Sequence, residues 1–506
     1  MNRRTTGLLT ALGGLMLAGC IAVGPDYKVP EFKDHASKLP DAGLPKEVAK
    51  KQRHEISRDE VSAWWTVFKD QTLDGLMGQA FTNNLSVKAG LARVRQARAR
   101  LGATEGRWWP GADARGGMNR FRTGKNGQSG RRVTDSLFSG GLDASWELDI
   151  FGGLRRSVEA AEASLEGAVA GAEQVWVTQA AEVALNYAGL RTVQERLKVA
   201  RTNLDIQGET LQILLSRLKS GIGDELAVQQ ARYNMETTRA TIPSLLAVEE
   251  SHLNALSVLV GVEPGTLHEQ LKTAKPQLSM EPRFLVGIAA EYLRRRPDIR
   301  QAERQLAMHA ARVGEATAEL YPKFALNGSI GLESLEGEDL FKSQSLTWSF
   351  GPSFRWAIFH GGTLRANIAY QDALYEEAYA NYNRILLLAL KEIRDALSAY
   401  SQEYHRYKAL DTAVKAAQAA VNISQDLYAS GLRDFNNVLD AQRSLLALEE
   451  SFTVSKGNIV THLIALYKAL GGGWSSWESW TPPRNAPSPD GQEIDPLLTG
   501  GAGSRG

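Results

Sequence analysis

A mixed fold, mostly α-helical with a membrane β portion, is predicted for this chain from three observations. The sequence repeats itself about 210 residues apart. Two proline-free helical runs cover residues 153–220 and 363–430. Four shorter segments alternate apolar and polar residues with the period of two that a half-exposed strand requires.

The repeat is carried by several motifs. Ser220-Gly221-x-x-Asp224-x-x-x-Val228-x-x-Ala231 returns as Ser430-Gly431-x-x-Asp434-x-x-x-Val438-x-x-Ala441. The run from Ser251 to Leu256, ending in Gly261, returns as Thr461 to Leu466, ending in Gly471. Arg100-x-Gly102 and Pro110 match Arg312-x-Gly314 and Pro322. The period is far longer than that of a solenoid, so it predicts a duplicated structural half.

The N-terminus reads as a leader. Arg3-Arg4 precede an apolar run from Gly7 to Ala18 that is too short to span a membrane. Leu17-Ala18-Gly19-Cys20 reads as a lipobox, which predicts a signal peptide over 1–19 and a lipid on Cys20. An ordinary signal peptide is the alternative, but the chain has one cysteine and no second thiol to pair with it. More than one acyl chain would be needed for stable anchoring. Ile21, rather than Asp, follows the cysteine and permits transfer to the outer membrane. Residues 20–60 read as a lipid-anchored linker.

The first repeat half is expected over 61–261, with strands at about 111–123 and 135–149 and long helices at about 152–220 and 224–261. The second half is expected over 284–474, with strands at about 323–333 and 344–357 and helices at about 361–430 and 434–470. In the second strand Phe138, Gly140, Leu142, Ala144, Trp146 and Leu148 alternate with polar neighbours. Trp108, Trp109, Tyr321, Trp348 and Trp356 could form an interfacial girdle. No other stretch has the roughly 18 apolar residues of a spanning helix, so a membrane crossing must use a closed β-barrel. Four strands, read as one hairpin per half, cannot close one, so several chains are expected to contribute.

The long runs predict helices of roughly 100 Å each at about 1.5 Å per residue. Gly221 and Gly431 are placed to stop them in the left-handed conformation. Asp224 and Asp434 are placed to cap the returning helices. Pro243 predicts a kink in the first returning helix, or a break there. Residues 262–283 link the halves, and 475–506 read as a partly disordered tail.

Several function classes are disfavoured. The net charge of +1 gives no footprint for nucleic acid. No catalytic, metal-binding or dinucleotide pattern is evident, and Gly221-x-Gly223 lacks the third glycine. No enzyme activity, metal or cofactor beyond the Cys20 lipid is expected. His252 and His462 occupy equivalent repeat positions and read as helix-packing residues rather than ligands.

The sequence resembles the TolC-type outer-membrane factor family, in its lipoprotein (OprM- and NodT-like) subclass. The resemblance rests on Val23-Gly24-Pro25-Asp26-Tyr27, Trp64-Trp65-x-x-Phe68-x-Asp70, Arg296-Pro297-Asp298-Ile299-Arg300, Leu320-Tyr321-Pro322-x-Phe324 and the closing run Leu466 to Trp474. It implies a homotrimer whose twelve-stranded β-barrel in outer-membrane lipid continues as a periplasmic α-helical barrel, with an equatorial belt near 262–283. It implies the exit duct of a tripartite efflux pump for drugs and toxic organics. The partners would be a periplasmic adaptor (membrane fusion protein) and an inner-membrane transporter of the resistance-nodulation-division (RND) type. An exit duct for type I protein secretion and a non-conducting lipoprotein scaffold are the alternatives.

The resemblance also implies a periplasmic gate, with Asp440 as an axial carboxylate and Asn437 where some members carry a second. Tyr428 and Arg433 match latch residues, whereas the acidic partner position is Ala227 and Asp224 or Glu225 could substitute. The tips at Gly221, Asp224, Gly431 and Asp434 would meet the adaptor. Read without the family, Asp440 is a solvated helix residue.

Overall fold

The computed structural model describes residues 22–30, 62–126, 132–278 and 290–474. Cys20 and its leader, Arg131, residues 279–289 and the tail 475–506 lie outside the described residues. A 3-10 turn, Trp64–Phe68, precedes helices α1 (Gln71–Asn83) and α2 (Leu85–Glu105). Strands β1 (Gly111–Arg122) and β2 (Thr134–Leu148) lead into α3 (Gly153–Lys219) and α4 (Glu225–Leu259). Short helices α5 (His268–Leu271) and α6 (Ala290–Arg295) precede α7 (Pro297–Ala318). Strands β3 (Lys323–Ser334) and β4 (Leu346–Arg355) lead into α8 (Thr363–Ala429) and α9 (Phe435–Ala469).

The chain divides into two compact units. The first takes its described residues from Met1–Asp34, Gly90–Ala172 and Arg294–Leu388, the second from His35–Ala89, Glu173–Leu293 and Ala389–Gly506. These spatial units cut across the repeat halves expected at 61–261 and 284–474. Each unit draws on both halves because the strands of both halves join one sheet, in which β2 pairs with β3 as well as with β1.

In the first unit the sheet is a four-stranded antiparallel meander in the order β1-β2-β3-β4. Its register puts the apolar residues in phase. Ala114 faces Leu142, Leu142 faces Ile330, and Ile330 faces Trp348. Since side chains alternate between faces, one face is apolar across all four strands. Met118, Leu142, Ile330, Leu346, Trp348, Phe350 and Phe354 on that face are each more than half exposed. The opposite face is polar and bonded across strands. Arg115 meets Asp143 at 3.0 Å. Ser145 donates to Asn327 at 3.0 Å, and Asn327 donates to Ser353 at 2.7 Å.

The aromatic residues do not form one girdle. The Trp146 indole donates to the carbonyl of Trp108 at 2.8 Å, and the Trp356 indole to that of Leu320 at 3.0 Å. Trp108, Trp109, Trp146, Tyr321 and Trp356 thus cluster at one end of the sheet. Trp348 is the correction: it lies opposite Ile330, eight positions along β4 from Trp356 and roughly 26 Å away along the strand.

The N-terminal strap is pinned in this unit. The N–H of Val23 donates to the carbonyl of Phe151 at 3.2 Å. Arg156, only 4% exposed, donates to Asp26 at 2.7 Å, to the carbonyls of Val23 at 3.3 Å and Gly24 at 3.4 Å, and to Glu159 at 2.8 Å. Gly24 has φ +93°, and a Cβ there would lie 2.4 Å from the Cα of Gly314. The Val-Gly-Pro-Asp-Tyr run is therefore read by one buried guanidinium and one glycine-on-glycine contact.

The second unit holds the larger core. Trp64 stacks on Tyr467 with centroids 5.3 Å apart, among Leu73, Leu256, Leu271 and Ile464. Asp70 caps α1 by accepting from Thr72 and Leu73, and it also accepts from the Tyr187 hydroxyl at 2.7 Å. Arg191, 1% exposed, donates to the carbonyl of Thr273 at 3.1 Å and ties down the segment after α5. Helix α4 runs through Pro243 without a break, with Leu245 buried against Val193 and Leu197. His252 is half-buried with Nδ1 3.2 Å from the side-chain oxygen of Asn186, so it serves packing. No described helix is long and apolar enough to cross a membrane.

Two predictions follow from these contacts. Arg156→Met should release the strap, because three bonds to residues 23–26 vanish together. Tryptic cleavage after Lys28 should then rise several-fold over wild type. Asp26→Asn, which keeps the carbonyl contacts, should raise it much less. The second concerns pH. Burial depresses the pKa of His252 and His462 below the usual value. Below about pH 6.5 the unfolded chain takes up these protons first, so stability present above that pH is lost as pH falls. The melting temperature should drop less between pH 7 and 5 in His252→Gln/His462→Gln than in wild type.

Candidate functional site: the paired helix tips

The ends of α3 and α8 and the starts of α4 and α9 come together in the second unit. Gly221 (φ +76°) and Gly431 (φ +71°) each end a long helix in the left-handed conformation. The N–H of Ile222 donates to the carbonyl of Arg217 at 3.2 Å, and that of Leu432 to Leu427 at 2.9 Å. This six-to-one bond is the Schellman stop that glycine at C′ permits. The residue after each glycine, Ile222 or Leu432, is apolar and exposed.

The two tips share an apolar cluster. Leu214, Ala227 and Val228 from the first pack with Phe435, Val438 and Leu439 from the second. Ala227 is 7% exposed within this cluster. A carboxylate there would be stripped of water without a partner, which gives the missing acidic latch residue a physical reason.

The turn residues differ between the tips. Asp224 caps α4 by accepting from the N–H of Leu226 at 3.0 Å. Asp434 occupies the N-cap position of α9, yet its side chain makes no capping bond, contrary to expectation. Its carbonyl instead accepts from the backbone N–H and the side-chain amide of Asn437, at 3.2 Å each. Asn437 therefore braces the turn and leaves the exposed Asp434 carboxylate uncommitted to the helix.

Tyr428 is set against Phe435, with centroids 5.2 Å apart, and under the Arg217 guanidinium, 4.8 Å from its ring. Arg433 is exposed, and among the described residues no ion pair joins it to Asp224 or Glu225. The Glu225 carboxylate accepts from Gln229 at 2.7 Å. Within one chain the predicted latch is not assembled.

Asp440 lies on α9 just past the tip with its side chain 75% exposed, and Arg443 one turn on approaches it at 3.6 Å. The same Arg443 donates to Asn234 at 3.2 Å and hydrogen-bonds the hydroxyl of Tyr233. Residues 233 and 443 hold equivalent places in the repeat, so the duplicated helices meet through them. Arg217 and Arg443 were missed from sequence. Arg443 was visible at i+3 from Asp440, whereas nothing local points Arg217 at Tyr428.

An exposed apolar strand face, a polar opposite face and long helices ending in paired Schellman tips define an outer-membrane channel subunit. The family model described as "Outer membrane efflux protein" matches residues 76–262 and 288–472, the two repeat halves. The chain is 30% identical to nodulation protein T of Rhizobium leguminosarum bv. trifolii, over 93% of this chain and 98% of that one. It is 29% identical to the toluene efflux pump outer membrane protein TtgF of Pseudomonas putida, over 94% and 98%. Its fold matches the outer-membrane channel OprN with TM-score 0.82 and 34% identity, covering 89% of this chain and 99% of that one. The open-state MtrE channel of Neisseria gonorrhoeae matches with TM-score 0.77 and 26% identity, over 90% and 98%. The chain belongs to the outer membrane efflux protein family. It is an outer-membrane protein that serves as the exit duct of an efflux system.

The packing around Tyr428 separates two roles. Tyr428→Phe keeps both ring contacts and should leave the melting temperature unchanged. Tyr428→Ala removes them from a half-buried site and should cost about 1–3 kcal/mol. Thermal unfolding of the purified variants checks this.

Proposed function

We propose that three copies of this chain close into a twelve-stranded barrel continued by an α-helical duct, which passively conducts small molecules out of the cell. A periplasmic adaptor would dock at the tips, and an inner-membrane RND transporter would supply the energy. Cys20 would carry the covalent lipid as a second membrane attachment. The observation that carries this reading is the four-stranded sheet with one exposed apolar face and two unpaired edge strands.

Asp440, in one copy per chain, is the proposed axial carboxylate. Carboxylate rings favour cations. Arg443 at 3.6 Å offsets part of that charge, and Asn437 adds none. The exposed Ile222 and Leu432, with the Gly221, Asp224, Gly431 and Asp434 turns, offer the adaptor two apolar knobs on rigid stops. An adaptor that binds splayed tips more tightly than closed ones would open the duct by its differential affinity. The names of relatives include a toluene efflux pump and a cation efflux system, which supports an exported cargo set upstream of the duct.

Conductance of the purified full-length protein in a planar bilayer tests the reading. Discrete channels that prefer cations are expected. Asp440→Asn should lower the preference and relieve block by periplasmic multivalent cations, whereas Arg443→Gln should raise the preference. Tyr428→Phe with Arg433→Ser should raise resting conductance if these residues bond between chains. No conductance from inserted protein would refute the duct. Unchanged selectivity in Asp440→Asn would place the gate elsewhere.

A further inference from the structure

We propose that Arg120 and Arg122 form a binding surface for the phosphate groups of the glycolipid in the outer leaflet. The inference rests on the reading that the apolar sheet face meets lipid, and it adds a ligand to that face.

The residues follow from register. On β1 the apolar face carries Ala112, Ala114, Gly116 and Met118, and the next two positions of the same phase are Arg120 and Arg122. Both are exposed. Two residues apart on one face, their Cα atoms are separated by roughly 7 Å. Opposite them on β2 stand Ser136 and Thr134, whose hydroxyls share the face. Of the carboxylates at this end, Asp135 and Glu333 have the phase of the polar face, and Glu336 and Glu338 lie exposed in the neighbouring β3–β4 loop, outside the strands. In the adjoining turn, Lys125 and Arg132 are exposed and add the same sign. Asp339, in the neighbouring β3–β4 loop, is already paired with Lys342. Among the described residues no ion pair involves Arg120 or Arg122, in contrast to Arg115 on the polar face, which holds Asp143.

The height fits as well. From Trp109, in the aromatic cluster at the other end of the sheet, to Arg120 is eleven residues, or roughly 28 Å along the membrane normal at a strand tilt near 40°. That is about the thickness of the hydrocarbon layer. An arginine on a lipid-facing strand is costly at the bilayer midplane and nearly free at its edge. Arg120 and Arg122 therefore stand where the acyl chains end and the headgroups begin. Guanidinium forks bind phosphate bidentately, so the pair fits a headgroup with phosphates on a compact sugar unit.

The test uses full-length protein in detergent, titrated with bisphosphorylated lipid A, dephosphorylated lipid A or phosphatidylglycerol, and read by native mass spectrometry. Wild type should retain the bisphosphorylated lipid in preference to both others. Near an anionic surface each charge removed should weaken binding about fivefold, so Arg120→Gln/Arg122→Gln should bind roughly 25-fold less tightly. Arg120→Lys/Arg122→Lys keeps the charge but loses the fork, and should bind between wild type and the Gln variant. Equal binding of the Gln variant, or of the dephosphorylated lipid, would overturn the phosphate surface. Equal binding of phosphatidylglycerol would overturn the assignment to glycolipid. Conductance of the same preparations separates the two readings. Channels that persist without phosphate preference sink the inference alone, whereas wild-type protein that does not conduct removes the barrel on which it rests.

Discussion

Inside a bilayer every backbone N–H and C=O needs a partner, and this sheet does not supply them all. β2 and β3 are bonded on both sides, but β1 and β4 each have an open edge. In hydrocarbon an unpaired edge costs several kcal/mol per group. In water the sheet fails for another reason. Seven large apolar side chains on one face are more than half exposed. At about 1.5–3 kcal/mol each, leaving them in water forfeits some 10–20 kcal/mol, as much as the whole stability of a typical domain. The face thus requires lipid, and lipid requires the edges to be closed. One constraint sets both membrane insertion and assembly.

The helices answer different demands. Their long antiparallel runs are stopped by glycine turns that satisfy the last carbonyls, so each reversal is built into the backbone. The cluster around Val228 and Phe435 then binds the two tips to each other within a chain. Because that cluster is apolar and the carboxylates of Asp434 and Asp440 point to water, charge at the tip is free to act between chains or toward a partner. The duplication is visible chemically where Arg443 meets Tyr233, its counterpart in the repeat.

Much of this was legible in the sequence, for identifiable reasons. Period-two alternation located the strands, and proline-free runs ending in Ser-Gly located the long helices. Helices α2 and α7 were not read as elements, because their apolar positions are interrupted by arginines such as Arg95, Arg98 and Arg304. Of the two expectations at Pro243, the break is excluded, because the helix continues and Leu245 packs beside it. The Asp434 side chain makes no cap because the N–H of Asn437 donates to the Asp434 carbonyl instead, a local choice that spacing alone does not resolve. Trp348 was grouped with Trp356 by residue type, but register separates them. The partners of Arg156 and Arg217 come from distant sequence, so no local pattern announced them.

The claim that most else depends on is that β1 of one chain pairs with β4 of another. Cysteines placed at Ala114 and Phe350, on the membrane face of the two edge strands, can be joined by a short flexible bismaleimide in intact outer membranes. The account predicts covalent species of two and three chains and none larger, with little cross-linking when either cysteine is present alone. Monomers only, or a ladder extending beyond three chains, would contradict it.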